Sequence, residues 1–171
     1  SKDVEREKGV FAKTSKLIVG LQGEIDTKTW WKVRDQLRGT DVYSMRSTML
    51  ALNSALPDEK KPEAAKLYKK FWQQVEALDL ACVKKEQALA TKKNADMIAA
   101  LGAYQAGVYA ALSETDLQPH WIAGVSIGAI NAALIAGNAP AQRVDRLREF
   151  WHLVSSGPAQ RLPSWLGDRA T

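Results

Sequence analysis

Residues 29–56 read TWWKVRDQLRGTDVYSMRSTMLALNSAL, and the spacing of their apolar side chains decides the fold class. Trp30, Val33 and Leu37, then Val42, Met45, Met49, Leu52 and Leu56, follow one another in steps that are mostly three and four. That spacing marks one buried face of a helix. A short side-chain oxygen at Asp26 or Thr27 is placed to cap the start, accepting a first-turn N–H. Gly39 is a weak spot in an otherwise continuous helix, costing about 1 kcal/mol relative to alanine. Pro57 ends the segment, because the residue before a proline is pushed out of the α region.

Working outward, Pro57-Asp58-Glu59-Lys60-Lys61-Pro62 is a polar turn, with Pro62 and Glu63 suited to a helical first turn. Leu67, Phe71, Val75, Leu78, Cys82 and Leu89 form the next apolar stripe, widened by Tyr68 and Trp72. A hinge over Lys84–Lys93 leads to a third stripe through Met97, Leu101, Tyr104, Val108 and Leu112. Val10, Leu17 and Leu21 give a fainter helix that is expected to stop before Gly23. The fold class is therefore all-α. An up-down-up-down four-helix bundle is expected over residues 1–113, followed by a C-terminal extension over residues 114–171. Trp30, Trp31 and Trp72 read as core and rim aromatics, and Cys82 as a small buried hydrophobe.

Composition narrows the functional classes. The chain has 171 residues, 46% apolar and 25% charged, which is ordinary for a globular protein. Cys82 is the only cysteine, and His120 and His152 are the only histidines, so an intrachain disulfide and most zinc or haem constellations are excluded. The longest uncharged run, residues 117–142, is interrupted by glycines and polar residues and makes a poor membrane span. No basic-then-apolar leader precedes Ser1, so a mature chain with its targeting segment removed is expected. The net charge of +5 lies entirely in residues 1–100, and all 15 lysines lie at or before Lys93. Such an asymmetry indicates two segments of separate origin.

The first segment resembles a known family. The run Trp30-Trp31-Lys32-Val33-Arg34-Asp35-Gln36-Leu37-Arg38, then Met45-Arg46, Leu50-Ala51-Leu52, the charged turn at 57–61, Leu67 through Phe71, and Val75-Glu76-Ala77-Leu78-Asp79 are similar to the PsbQ family of extrinsic photosystem II subunits. The resemblance covers about residues 3–112. It implies a non-enzymatic protein of the chloroplast thylakoid lumen, peripheral on the membrane. Such a subunit docks on photosystem II core lumenal loops and other extrinsic subunits and helps retain the calcium and chloride of the manganese cluster. No cofactor is expected to bind directly. A basic bundle would be steered toward acidic loops in a salt-sensitive way. Candidate contacts are Lys32, Arg34, Arg38 and Arg46 on the second helix, and Lys60, Lys61, Lys69 and Lys70 near the turn. Nucleic-acid binding is not expected, since the basic residues alternate with acids and no nucleic-acid motif is present.

The second segment carries Gly124-Val125-Ser126-Ile127-Gly128, a G-x-S-x-G preceded by a short apolar run and followed by a small-residue helix. A strand–elbow–helix is the setting that exposes a nucleophilic serine. Together with Gly102-Ala103-Tyr104-Gln105-Ala106-Gly107-Val108 and Arg146-Leu147-Arg148-Glu149-Phe150-Trp151, it resembles a fragment of the patatin-like phospholipase family. That resemblance makes Ser126 the catalytic residue of an alternative function, a serine acyl hydrolase. The family's glycine run should precede Gly102, where this chain has Ile98-Ala99-Ala100-Leu101, and the chain contains no Asp-Gly pair. Without a base and oxyanion donors, a serine is a weak nucleophile. Residues 102–112 satisfy both family patterns, so the two segments are expected to join there.

Overall fold

A computed structural model describes residues 2–115, 119, 121–124 and 126–156, with side chains described from residue 13 onward. Seven α-helices occur among the described residues: α1 Lys2–Asp26, α2 Trp30–Arg38, α3 Thr40–Ala55, α4 Lys61–Lys84, α5 Gln87–Ser113, α6 Ile127–Ala136 and α7 Arg143–Ser156. None of them is long and apolar enough to cross a membrane. The all-α reading holds. α1, the α2–α3 pair, α4 and α5 pack side by side, each against two neighbours, an arrangement compatible with an up-down bundle.

Local chemistry departs from the expected boundaries in four places. α1 runs through Gly23 to Asp26, since one glycine costs too little to stop a helix whose Leu21 and Ile25 are fully buried. Thr27 closes α1 instead of capping the next helix: its hydroxyl donates to the Gly23 carbonyl at 3.1 Å, and α2 begins after Thr29 with no side-chain cap. The single helix expected over 29–56 is divided at Gly39, which is extended at ψ 164°. The break lets Val33 and Leu37 serve α2, which lies on α4, while Val42, Met45 and Met49 serve α3, which lies on α1. Leu52, expected on the buried stripe, is exposed. At that level α3 meets α5 through Asn53 instead, whose Oδ1 accepts from the Tyr104 hydroxyl at 2.8 Å. α4 follows expectation over its first part, with Pro62 in its first turn and Phe71, Val75, Leu78 and Cys82 buried, but it ends at Lys84. Leu89, expected on its stripe, belongs to α5, and the hinge expected over Lys84–Lys93 shrinks to Lys85 and Glu86, where a left-handed Lys85 caps α4.

α5 organises the rest. From Met97 onward its buried positions go around the helix, from Met97, Leu101 and Tyr104 to Ala99, Gly102 and Ala106, so this part lacks the polar face that Thr91 and Lys92 give its first turns. One side belongs to the bundle: Asn94 donates to Gln22 Oε1 of α1 at 3.0 Å, and Tyr104 donates to the Met49 carbonyl at 3.1 Å. The other side is covered by α6 and α7. There the Trp151 indole donates to Asn131 Oδ1 at 2.7 Å. Asn131 Nδ2 donates to Gln105 Oε1 at 3.0 Å and to the Gly102 carbonyl at 3.3 Å. A buried polar triangle of this kind is stable because each group has a partner.

A Cβ at position 102 would lie 2.1 Å from the Trp151 ring. Gly102→Ala, which raises helix propensity by about 1 kcal/mol at an open site, is therefore expected to destabilise this protein by about 1–3 kcal/mol through overpacking. Urea unfolding followed by circular dichroism measures the sign.

Candidate docking surfaces and the Ser126 elbow

Most of the basic side chains nominated from the sequence are used inside the protein. Arg34 and Arg38 converge on one carboxylate of α4: Arg34 Nε lies 3.2 Å from Asp79 Oδ1, and Arg38 Nη2 lies 2.7 Å from Asp79 Oδ2. They stand one helical turn apart, so a single aspartate on the facing helix can bridge both. Lys32 pairs with Glu24 of α1, and Lys60 with Glu114 at the end of α5. Lys61 pairs with Asp58 at 2.6 Å, which holds that carboxyl below the usual aspartate range. The Arg46 guanidinium lies 4.5 Å from the Trp72 ring centroid, a cation–π contact that joins α3 to α4. Arg46, Lys69 and Lys70 carry no ion pair with a described residue, and of these Lys69 and Lys70 have no ring contact either.

The sequence reading missed a second group. Lys28, Lys84 and Lys85 also lack ion pairs among the described residues. They stand at the turns that close α1 and α4, and Lys28 and Lys85 have left-handed backbones, at φ 54° and 57°. Near them Trp31, assigned to packing from its spacing, is 71% exposed, while Trp30 is half-buried and Trp72 buried. The available signal was the turn itself: lysines flanking a helix stop have no neighbouring turn to pair with.

The serine motif is partly built. Residues 121–124 form no strand, and no strand occurs among the described residues, so that arm of the expected elbow is missing. A lone extended run has no ladder partner for its backbone groups. His120 and Val125 lie outside the described residues. The turn itself is sharp: Ser126 has φ 58° and ψ −119° and stands at the start of α6, its carbonyl accepting from the Ala129 N–H at 2.9 Å. A Cβ on Gly124 would meet the Gly128 carbonyl oxygen at 2.0 Å, so only glycine allows the chain to pass there. No hydrogen bond from a described residue reaches the Ser126 hydroxyl as a cap.

A groove of about 740 Å³ lies between α4, α5 and α7. Its floor includes Leu67, Ala103 and Gly107, and charges of both signs such as Lys70 and Glu149 rim it. Among the described residues, no group of histidine, cysteine and carboxylate side chains is gathered to hold a metal ion.

Comparison with known proteins separates the chain along the same line as its composition. A family model described as oxygen evolving enhancer protein 3, PsbQ, matches residues 4–108, more than half of the chain. A model described as patatin-like phospholipase matches residues 99–170. No curated protein and no solved structure matches. The two matched regions overlap over residues 99–108, the part of α5 that contains Gly102.

Burial pushes the Cys82 thiol up, with the nearby Asp79 carboxylate adding and Arg34 opposing. The thiolate is the reactive form. Cys82 is therefore expected to resist iodoacetamide at neutral pH in the folded protein and to react fully in about 6 M guanidinium, where the core is open. Mass spectrometry of the two samples reads the difference.

Proposed function

This chain belongs to the oxygen evolving enhancer protein 3 family, PsbQ, and from that premise we propose that it is a non-catalytic, extrinsic subunit on the lumenal side of photosystem II. The observation that carries the reading is the extent of the match. Residues 4–108 take in nearly all of α1 through α5, so the likeness spans the whole set of packed bundle helices and not a local motif. In this reading the bundle attaches to core lumenal loops and neighbouring extrinsic subunits, peripheral to the thylakoid membrane. It acts by covering the manganese cluster's surroundings, so that calcium and chloride are retained without binding to this chain. Residues 114–171 are an extension that contributes α6 and α7 as a brace on α5.

Charge supports the attachment. The chain carries a net +5, and its internal ion pairs leave several lysines without a described partner. Long-range attraction to an acidic surface follows, and it weakens as salt shortens the screening length.

A serine acyl hydrolase is the second reading, favoured by the sharp backbone at Ser126 and by the match over residues 99–170. It requires a base hydrogen-bonded to the hydroxyl and donors for the developing oxyanion. The Asp-Gly pair and glycine run that would supply them do not occur in the sequence.

Two measurements test the proposal. Purified chain added to salt-washed photosystem II membranes is expected to rebind at low ionic strength, to be released by about 1 M NaCl, and to restore oxygen evolution at limiting calcium and chloride. Failure to rebind overturns the docking reading. Turnover of short-chain p-nitrophenyl esters is expected to stay at the buffer rate for wild type and Ser126→Ala alike; wild-type turnover abolished by Ser126→Ala would establish the hydrolase instead.

A further inference from the structure

The groove between α4, α5 and α7 is a trough because α5 gives it a floor of small residues. Ala103, Ala106, Gly107 and Ala110 line it, with Leu67 of α4 and Leu147 of α7 as walls. A Cβ on Gly107 would lie 2.5 Å from Leu67 Cδ1, so α4 already touches α5 and cannot move in to fill the space. Its volume of about 740 Å³ is that of an occupied ligand pocket.

The end of α7 stands at this groove. Ser155 lines it, and α7 ends at Ser156. The apolar stripe of α7, Val144, Leu147, Trp151 and Val154, keeps its three-and-four spacing up to that end, yet Val154 is 43% exposed. Residues 157–171, GPAQRLPSWLGDRAT, follow and lie outside the described residues. Gly157-Pro158 opposes continuation of α7, because proline lacks an N–H and disfavours a helical residue before it. Leu162, Trp165 and Leu166 then gather three large apolar side chains within five residues.

We propose that residues 162–166 fold back onto the groove, with Trp165 and its two leucines against the alanine floor of α5, as a strap that ties the C-terminal extension to α4. The reach is sufficient: Gly157 to Leu166 spans up to about 33 Å extended, whereas α5 covers about 16 Å from Ala103 to Glu114. Tethering favours this occupant over any free one. A segment held at the rim by the five residues 157–161 has an effective concentration in the millimolar range. Lys60 and Glu114 on the rim pair with each other, and Arg161 and Asp168 of the segment are of opposite sign, so charge does not oppose the contact.

Trypsin reads the strap in the full chain, because Arg161 stands directly before Leu162. Mass spectrometry of early time points gives the rate of cleavage after Arg161 for wild type, Trp165→Ala, Ala110→Glu on the floor, the double variant, and Trp121→Ala as a control at an exposed tryptophan elsewhere. Trp165→Ala and Ala110→Glu are each expected to speed that cleavage by about tenfold or more, since proteolysis follows the open population. The double variant should be no faster than the faster single one, because both remove the same contact. Trp121→Ala should stay within about twofold of wild type. Circular dichroism checks that Ala110→Glu remains folded, and Trp165→Ala, which alters no described residue, carries the test if it does not. Equal rates for wild type and Trp165→Ala would overturn the strap. Acceleration by Trp165→Ala but not by a folded Ala110→Glu would place the segment elsewhere and overturn it too. Protection that rises with protein concentration, together with a dimer in sedimentation, would replace the strap with a second copy.

Discussion

The Trp151 indole occupies the space that any side chain at position 102 would need, and much of the structure depends on that contact. It forces α5 to be smooth on one side, with Ala99, Gly102 and Ala106, while the other side carries Met97, Leu101 and Tyr104 into the bundle. A helix covered on both sides cannot be stabilised by an amphipathic stripe. Its stability from Met97 onward comes from burial of both surfaces, and its buried polar groups must find partners inside. Asn94 finds Gln22, Tyr104 finds Met49 and Asn53, and Asn131 meets α5 from outside while accepting from Trp151. The two family likenesses overlap on this same helix, so the place where the sequence patterns merge is also where the two parts share a core.

The interior pairs decide which charges stay open at the surface. Ion pairs bind Lys32, Arg34, Arg38, Lys60 and Lys61 to acids of neighbouring elements, and Trp72 holds Arg46. The ion-paired charges steer weakly at a distance because each is partly cancelled nearby, whereas the neutral Trp72 ring leaves the Arg46 charge in place. Lysines without an ion pair to a described residue remain both at the turns closing α1 and α4, Lys28, Lys84 and Lys85, and within α4, Lys69 and Lys70. Pairing inside the bundle and availability outside it are thus parts of one arrangement.

Much of the fold was legible where the determinants are local. α4 was readable from its start through Cys82 because Pro62, Glu63 and the stripe from Leu67 to Cys82 are all within a few residues of their effects, whereas its end at Lys84 carried no proline or glycine and was read too far, through Leu89. Gly39 was readable as a weak point but not as a break, since the decision depends on α2 preferring α4 and α3 preferring α1. The Gly102–Trp151 contact joins residues 49 positions apart and left no periodic trace. The same distance effect hid the ion pairs made by the nominated basic residues. Arg34 and Asp79 are 45 positions apart, so nothing near Arg34 announces that its charge is already matched. At Ser126 the turn was legible from its glycines, whereas a strand requires neighbours that the sequence does not supply.

Native-state hydrogen exchange read by mass spectrometry tests the shared core most directly. If α5 serves both parts, its amides around Gly102 exchange slowest, and α4 and α7 open with the same free energy as α5 in one cooperative event. Opening of α6 and α7 at a much lower free energy, with α1 through α5 still protected, would contradict the account.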